Sequence, residues 1–258
     1  MNTVSNAATL AHYLRNQDAD TLHLSTALTP RDRERMVRRI ESKLRDEPQG
    51  DWVLVATSCV EAGMDFSFRT GIREAASLNS LIQAGGRVNR NAEHGKSEVY
   101  SLRLEDSRFN RNPQFTASRQ VLSAMLRGNP NWSDLPALVT DSLTREFMLT
   151  PATGQRANEL TQLERTMDYP SVSEKYKVIE AGTRTVVVDP EIVRRLKAGE
   201  EVGWRDVQMG SVQMWTKRAE RLGAIPLFDG QVDGLYEWRG EYDPDSLGYM
   251  SGVIDVDL

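Results

Sequence analysis

The 258-residue chain is 39% apolar and 27% charged, enough for one or two domains with a buried core. No run reaches the ~18 apolar residues of a membrane span and the first fifteen residues lack a signal-peptide pattern, which excludes an integral membrane protein and points to the cytoplasm. Cys59 is the one cysteine, so an internal disulfide and a Cys/His zinc framework are excluded; the net charge is −5, with eleven Asp/Glu against five Lys/Arg over 201–258, so there is no broad basic footprint for nucleic acid.

Ser5 to Arg15 carries Ala7, Ala8, Leu10, Ala11 and Leu14 at helical spacing, with Ser5 as the expected cap. Thr21–Ser25 alternates as a short strand. Thr29–Pro30–Arg31–Asp32 opens a helix: Thr29 caps it, Pro30 suits its first turn, and Asp32 stands where a capping-box acid would. Met36, Val37, Ile40 and Leu44 face one way, and the helix stops before Pro48–Gln49–Gly50. Trp52–Thr57 is continuously apolar and reads as a buried strand. A helix over Leu78–Val88 and a strand over Glu98–Leu104 follow. Strands separated by helices are the mark of βαβ units on a parallel sheet. Met1–Asn2–Thr3–Val4 runs straight into a helix where such a sheet wants a strand, so the pattern reads as cut into.

From Asp106 to Ala157 the pattern is helical and more polar, with helices over Thr116–Leu126 and Ser133–Met148. Beyond Pro170 the sequence predicts strands at Val172–Glu180 and Arg184–Asp189 and a short helix at Pro190–Ala198. Ile225–Phe228 and Leu235–Trp238 flank DGQVDG as a hairpin. A domain boundary is expected near 150–170.

Two segments carry chemistry. Gln83–Ala84–Gly85–Gly86–Arg87–Val88–Asn89–Arg90 fits Q-x-x-G-R-x-x-R, with two arginines three apart on an expected helical face. A pair of planar, permanently charged guanidinium forks can grip a transferring phosphoryl group. An amphipathic helix with arginines on its solvated side would show the same spacing. Val53 to Phe66 is a strand ending in Thr57–Ser58, then a turn containing Gly63 and Asp65. Hydroxyls and backbone N–H groups at the carboxyl end of a parallel strand sit where α/β sheets bind ligands, and they meet phosphates without net positive charge. Asp65 is an acceptor suited to a ribose hydroxyl, or a plain turn residue.

In this order and spacing, the two segments resemble motifs V and VI of superfamily-2 helicases. Asn2–Thr3–Val4 resembles motif IV, and Leu22–Ser25 with Thr29–Arg33 the stretch after it. The wording V-x-x-G-x-D-F and Q-A-G-G-R-V-N-R is most similar to the CRISPR-associated type I helicase-nucleases. Over 165–250 the resemblance rests on Tyr242–Asp243–Pro244 and Leu247–Gly248–Tyr249. It implies an α/β fold: a RecA-like second lobe with parallel sheet and flanking helices over 1–105, a helical linker over 106–168 and a small α+β domain over 169–258. It further implies that Arg87 and Arg90 reach the γ-phosphate of ATP and that Gln83 supports the nucleotide. Gly63 and Asp65 would lie near its ribose, and Thr57, Ser58, Ser25, Asn2 and Thr3 would contact a single DNA strand. Family members couple ATP hydrolysis to 3′-to-5′ movement on DNA and cut it with a separate His-Asp nuclease domain.

Gly95–Lys96–Ser97 ends like a P-loop, but the pattern's first position falls on Arg90 and a strand follows where a helix is needed. No D-E-x-[HD] follows a strand, and no His-Asp pair is found for nuclease metals. The expected partners are therefore a first helicase lobe, single-stranded DNA and a CRISPR surveillance complex, with no membrane. ATP with magnesium is expected only in combination with that lobe, no metal ligands are expected, and the chain alone is expected to be inactive. A regulator that occupies a helicase or CRISPR complex, and the second lobe of another superfamily-2 helicase, fit the same residues. His12, His23 and His94 are scattered and read as structural or solvated. Trp204, Trp215, Tyr236 and Trp238 read as core or partner contacts rather than base-stacking platforms.

Overall fold

The structure is a computed structural model describing residues 1–46, 50–61, 63–93, 95–105, 115–149, 151–175, 182–228 and 234–254; His94 lies outside them. Contacts divide the chain into two compact units: Met1–Phe66 with Ala181–Leu258, and Ser67–Glu180. Residues 67–105 thus group with the helices that follow them.

The first unit opens with α1 (Val4–Asn16), β1 (Thr21–Leu24), α2 (Pro30–Asp46) and β2 (Val53–Ala56). Thr3, not Ser5, caps α1: its side chain accepts from the Asn6 N–H at 3.1 Å, so the helix begins sooner than expected. Ala7, Ala8 and Ala11 are fully buried, and such small side chains let the helix lie close against the strands. The start of α2 forms as expected: Thr29 Oγ1 accepts from Asp32 N at 3.1 Å and donates to Asp32 Oδ2 at 2.7 Å. Through α2, β1 returns to β2 in parallel, in register from Thr21 opposite Val53 to Leu24 opposite Ala56. All four β1 residues are buried. β2 is not the buried strand expected: Val53 is 42% exposed and only Val55 of the strand is buried. Among the described residues β2 pairs as a strand only with β1, and on its other edge the Met1 amino group donates to Ala56 O at 2.6 Å.

The second unit comprises β3 (Thr70–Glu74), α3 (Leu78–Gly85), β4 (Glu98–Leu102), α4 (Thr116–Arg127), α5 (Leu135–Met148), α6 (Pro151–Arg165) and α7 (Tyr169–Lys175). β3, unexpected from its polar sequence, pairs in parallel with β4, and Ala75 N extends the ladder to Leu102 O at 2.7 Å. Ser77 and Ser80 close a capping box on α3. That helix ends at Gly85, short of the expected Val88, because two consecutive glycines each cost ~1 kcal/mol in a helix. The expected strand at Val172 is instead part of α7: Asp168 accepts from Ser171 N at 3.2 Å, a cap, with Pro170 in the first turn. Residues 176–180 of that expected strand lie outside the described residues. Leu78, Val121, Leu122 and Met125 form the unit's core.

The chain returns to the first unit with β5 (Thr183–Val187), α8 (Pro190–Lys197), α9 (Trp204–Met209), β6 (Ser211–Trp215), α10 (Thr216–Arg221), β7 (Ile225–Pro226) and β8 (Tyr236–Glu237). The strands make one mixed sheet in the order β6-β5-β8-β7. The hairpin appears as β7 antiparallel to β8, and α8 starts where expected, capped by Asp189. One apolar cluster joins Ala7, Ala8, Ala11, Ala27 and Val55 to Val186, Met214, Trp238, Tyr249 and Ile254, so the two stretches share a core.

Candidate functional site

The carboxyl ends of β1 and β2 finish side by side. Thr57 N donates to Leu24 O at 3.2 Å, so Ser25 and Thr57 leave the ladder together, and a 3₁₀ turn over Ser58–Val60 follows. Of the five residues expected at a DNA strand, Ser58 alone is exposed; Asn2 and Thr3 are half-buried, and the Thr3 hydroxyl is engaged as the α1 cap. Thr57 is 7% exposed, and its hydroxyl donates to Cys59 Sγ at 3.4 Å. Ser25 is fully buried and its Oγ accepts from Ala27 N at 3.1 Å, so in this conformation it offers no surface to a phosphate. The neighbouring Thr26, which sequence reasoning passed over, is exposed instead.

The last described segment of the chain clasps this ladder end. Tyr242 Oη accepts from Thr29 N at 3.0 Å and donates to the Asp32 carboxylate, while Tyr249 N donates to Ala27 O at 3.2 Å. Burial, followed by the bond to Asp32, pushes the Tyr242 hydroxyl pKa up, which keeps it a neutral donor. His23 is fully buried and pairs through Nδ1 with Ser246 O at 3.1 Å. Burial pushes its pKa down to about 4, so the neutral ring donates that Nδ1–H: it is a structural histidine. Gly248, at φ +61°, sits where a Cβ would stand 2.1 Å from Ala27 O, so only glycine lets the segment come this close.

In the second unit Gln83 is exposed on the last turn of α3, Arg87 is half-buried and Arg90 exposed. The two arginines do not share a helical face. After Gly86, Arg87 N and Val88 N bond back to Ala84 O and Gly85 O, Val88 bridges to Phe68, and Asn89 turns the chain at φ +48°. Arg90 N donates to Ser67 Oγ at 3.0 Å, and the Asn89 side chain donates to Gly95 O at 3.1 Å. The pair therefore sits on a pinned turn. Gly63 and Asp65 belong to the first unit and are both exposed; Gly63, at φ +74°, has no atom within 4 Å of an added Cβ. Exposed guanidinium surface on a fixed turn suits a phosphate, and an open left-handed glycine beside an exposed carboxylate suits a sugar. Among the described residues no group of three or more His, Cys, Asp or Glu is placed to hold a metal ion, and no helix is long and apolar enough to cross a membrane. Tyr236 and Trp238 are core residues, whereas Trp204 and Trp215 are exposed.

The family model described as CRISPR-associated nuclease/helicase Cas3, C-terminal, matches residues 1–93. A CRISPR-associated helicase Cas3 of Thermoproteus tenax is 25% identical over 239 residues, covering 87% of this chain and 40% of that protein. A CRISPR-associated nuclease/helicase Cas3 of Haloferax volcanii is 41% identical over 63 residues, 23% of this chain and 7% of that one. The crystal structure of T. fusca Cas3 with AMPPNP aligns over 95% of this chain and 36% of its own, with TM-score 0.62 and 16% identity. The chain is similar to the C-terminal part of a Cas3-like superfamily-2 helicase. A chain in a CRISPR RNA-guided surveillance complex, pre-nicking, aligns over 95% of this chain with TM-score 0.62 and 17% identity. At such identities the structural likeness shows a shared Cas3-like α/β fold. The chain spans well under half the length of these Cas3 relatives. The resemblance drawn from Val53–Phe66 and Gln83–Arg90 is borne out, and both segments lie within the matched stretch.

Proposed function

We propose that this chain supplies the second RecA-like lobe (1–105), helical linker (106–168) and small α+β domain (169–258) of an ATP-dependent single-stranded DNA translocase in CRISPR type I interference. One observation carries the reading: within the matched 93 residues, the strand that leads into the V-x-x-G-x-D-F segment ends at a parallel ladder end, and the Q-x-x-G-R-x-x-R segment presents its arginines on a pinned turn. Thr57, Ser58 and the adjacent Thr26 form the edge that meets DNA phosphates, Ser58 and Thr26 with exposed side chains. Arg87 and Arg90 steady the charge on the transferring phosphoryl group, Gln83 orients the nucleotide, and Gly63 with Asp65 faces its sugar. ATP with magnesium, held mainly by a first lobe, supplies the phosphoryl group and its counter-charge when bound. A surveillance complex is the partner that delivers the DNA strand.

The test is steady-state ATP turnover by this chain alone and by an assembly that adds a P-loop first lobe. The chain alone turns over no ATP, and the assembly is stimulated by single-stranded DNA. Arg87→Ala and Arg90→Ala lower that turnover by about 10³–10⁵, the range for an arginine finger, with an unchanged thermal midpoint. Full turnover in both variants would remove the finger assignment.

A further inference from the structure

A groove of about 740 Å³ opens in the second unit, lined by residues at the carboxyl ends of β3 and β4 and by α4. Among the described residues its lining includes Arg103, Arg119 and Arg127 and no Asp or Glu, in a chain whose net charge is −5. The concentration of positive charge is therefore local and built from two elements. Thr116, Arg119, Gln120, Ser123 and Arg127 recur along α4 at the spacing of one helical face, and all line the groove. Val121, Leu122 and Met125 of the same helix are buried in the unit's core, which fixes which way that polar face turns. The guanidinium groups are also held locally. Arg119 Nε donates to Phe115 O at 3.1 Å, and Arg127 donates to Ser123 Oγ at 2.8 Å. Arg127 lies eight positions after Arg119, about 12 Å along a helix axis.

We propose that this groove binds the phosphodiester backbone of single-stranded DNA, with Arg119 and Arg127 meeting different phosphates and Arg103 adding charge at the strand end. Arginine is the side chain best matched to phosphate oxygens, and the carboxyl ends of parallel strands are the usual ligand side of an α/β unit. A cationic ridge of this length suits a run of phosphates rather than one phosphate group. The choice of DNA rests on the translocase reading above; the anion chemistry does not. None of the Thr57, Ser58, Ser25, Asn2 and Thr3 contacts is part of this groove.

The experiment is fluorescence anisotropy of a labelled oligothymidylate of about 20 nucleotides with the full chain, titrated from about 50 to 200 mM salt. Arg119→Ala with Arg127→Ala is expected to weaken binding about tenfold or more at low salt. It should also flatten the log–log salt slope by ~1.4, two contacts at ~0.7 each on a single strand. Arg119→Lys with Arg127→Lys keeps the slope. Thermal midpoints accompany each variant, and Arg119→Gln with Arg127→Gln replaces the alanine pair should that pair unfold. Thymidine monophosphate and inorganic phosphate, at matched phosphate concentration, displace the oligonucleotide poorly. The groove assignment is overturned by wild-type affinity and slope in the folded double variant, by equal displacement with the monophosphate, or by no binding to the wild-type chain at low salt. Turnover of the two-lobe assembly separates the two proposals. Intact DNA-stimulated turnover beside unaltered DNA binding in the groove variants sinks the groove alone. Lost DNA binding in those variants beside full turnover in both Arg87→Ala and Arg90→Ala sinks the finger alone.

Discussion

The chain uses the same strand–helix–strand connection twice, and the two copies differ in what covers them. In the first, β1 is buried at every residue, a 17-residue helix makes the crossover, and the segment around Tyr242 to Tyr249 closes the strand ends. In the second, β4 is exposed at four of its five residues, and the crossover helix has eight residues before two glycines stop it. The first copy spends its polar groups internally: Thr29, Asp32 and Tyr242 bond to one another, His23 to Ser246. The second copy turns polar groups outward, on the turn carrying Arg87 and Arg90 and on the face of α4. A βαβ connection therefore fixes where strand ends lie, while its covering decides whether they serve as scaffold or as binding surface.

That contrast can be broken at glycines. Gly248→Ala places a Cβ 2.1 Å from Ala27 O at a positive φ, and is expected to destabilise the first unit by about 3 kcal/mol or more. Gly95→Ala, with nothing within 4 Å, stays within about 0.5 kcal/mol. Urea midpoints of the two variants make the comparison, and equal midpoints would mean that the clasp is loose. Acid probes the same clasp. The unfolded chain protonates His23 near its ordinary pKa of 6.5, whereas the folded one does so only near 4. Protons therefore favour the unfolded chain, and stability falls as pH drops from 6.5 towards 4, by about 3 kcal/mol for the whole shift. His23→Gln has no charge to gain and should flatten that part of the thermal-midpoint profile. An acid slope as steep as the parent's would assign it to other groups. A smaller loss than that at Gly248 is expected of Tyr242→Phe, which leaves Thr29 N–H and Asp32 without the hydroxyl and should cost about 1–2 kcal/mol. A variant as stable as the parent would leave the clasp to the backbone contacts of Gly248 and Tyr249.

Local signals were legible in the sequence, and long-range ones were not. The Thr29–Pro30–Asp32 start of α2 and the Asp189–Pro190 start of α8 are written within four residues, because a cap is a contact between near neighbours. β3 was missed because Thr-Gly-Ile-Arg-Glu has no apolar alternation; pairing with β4 makes it a strand. The apolar spacing carries α3 on to Val88, three residues too far, although Gly85–Gly86 marks the stop. The roles of His23 and Tyr242 depend on residues more than 200 positions apart, which no window on the sequence joins. The cationic face of α4 is legible in principle, since Thr116, Arg119, Ser123 and Arg127 carry a helical period, but in the sequence it is set within a generally polar helical stretch.

The shared core of the first unit has a consequence for synthesis. Ala7, Ala11 and Val55 are made first, yet they pack against Val186, Met214, Trp238 and Ile254, which a ribosome adds only after the whole second unit. At about 5–20 residues per second, the early strands wait on the order of ten seconds with their apolar faces uncovered. A nascent chain halted inside the second unit would therefore present the β1–β2 ladder to chaperones and proteases. One released after Ile254 would have buried it.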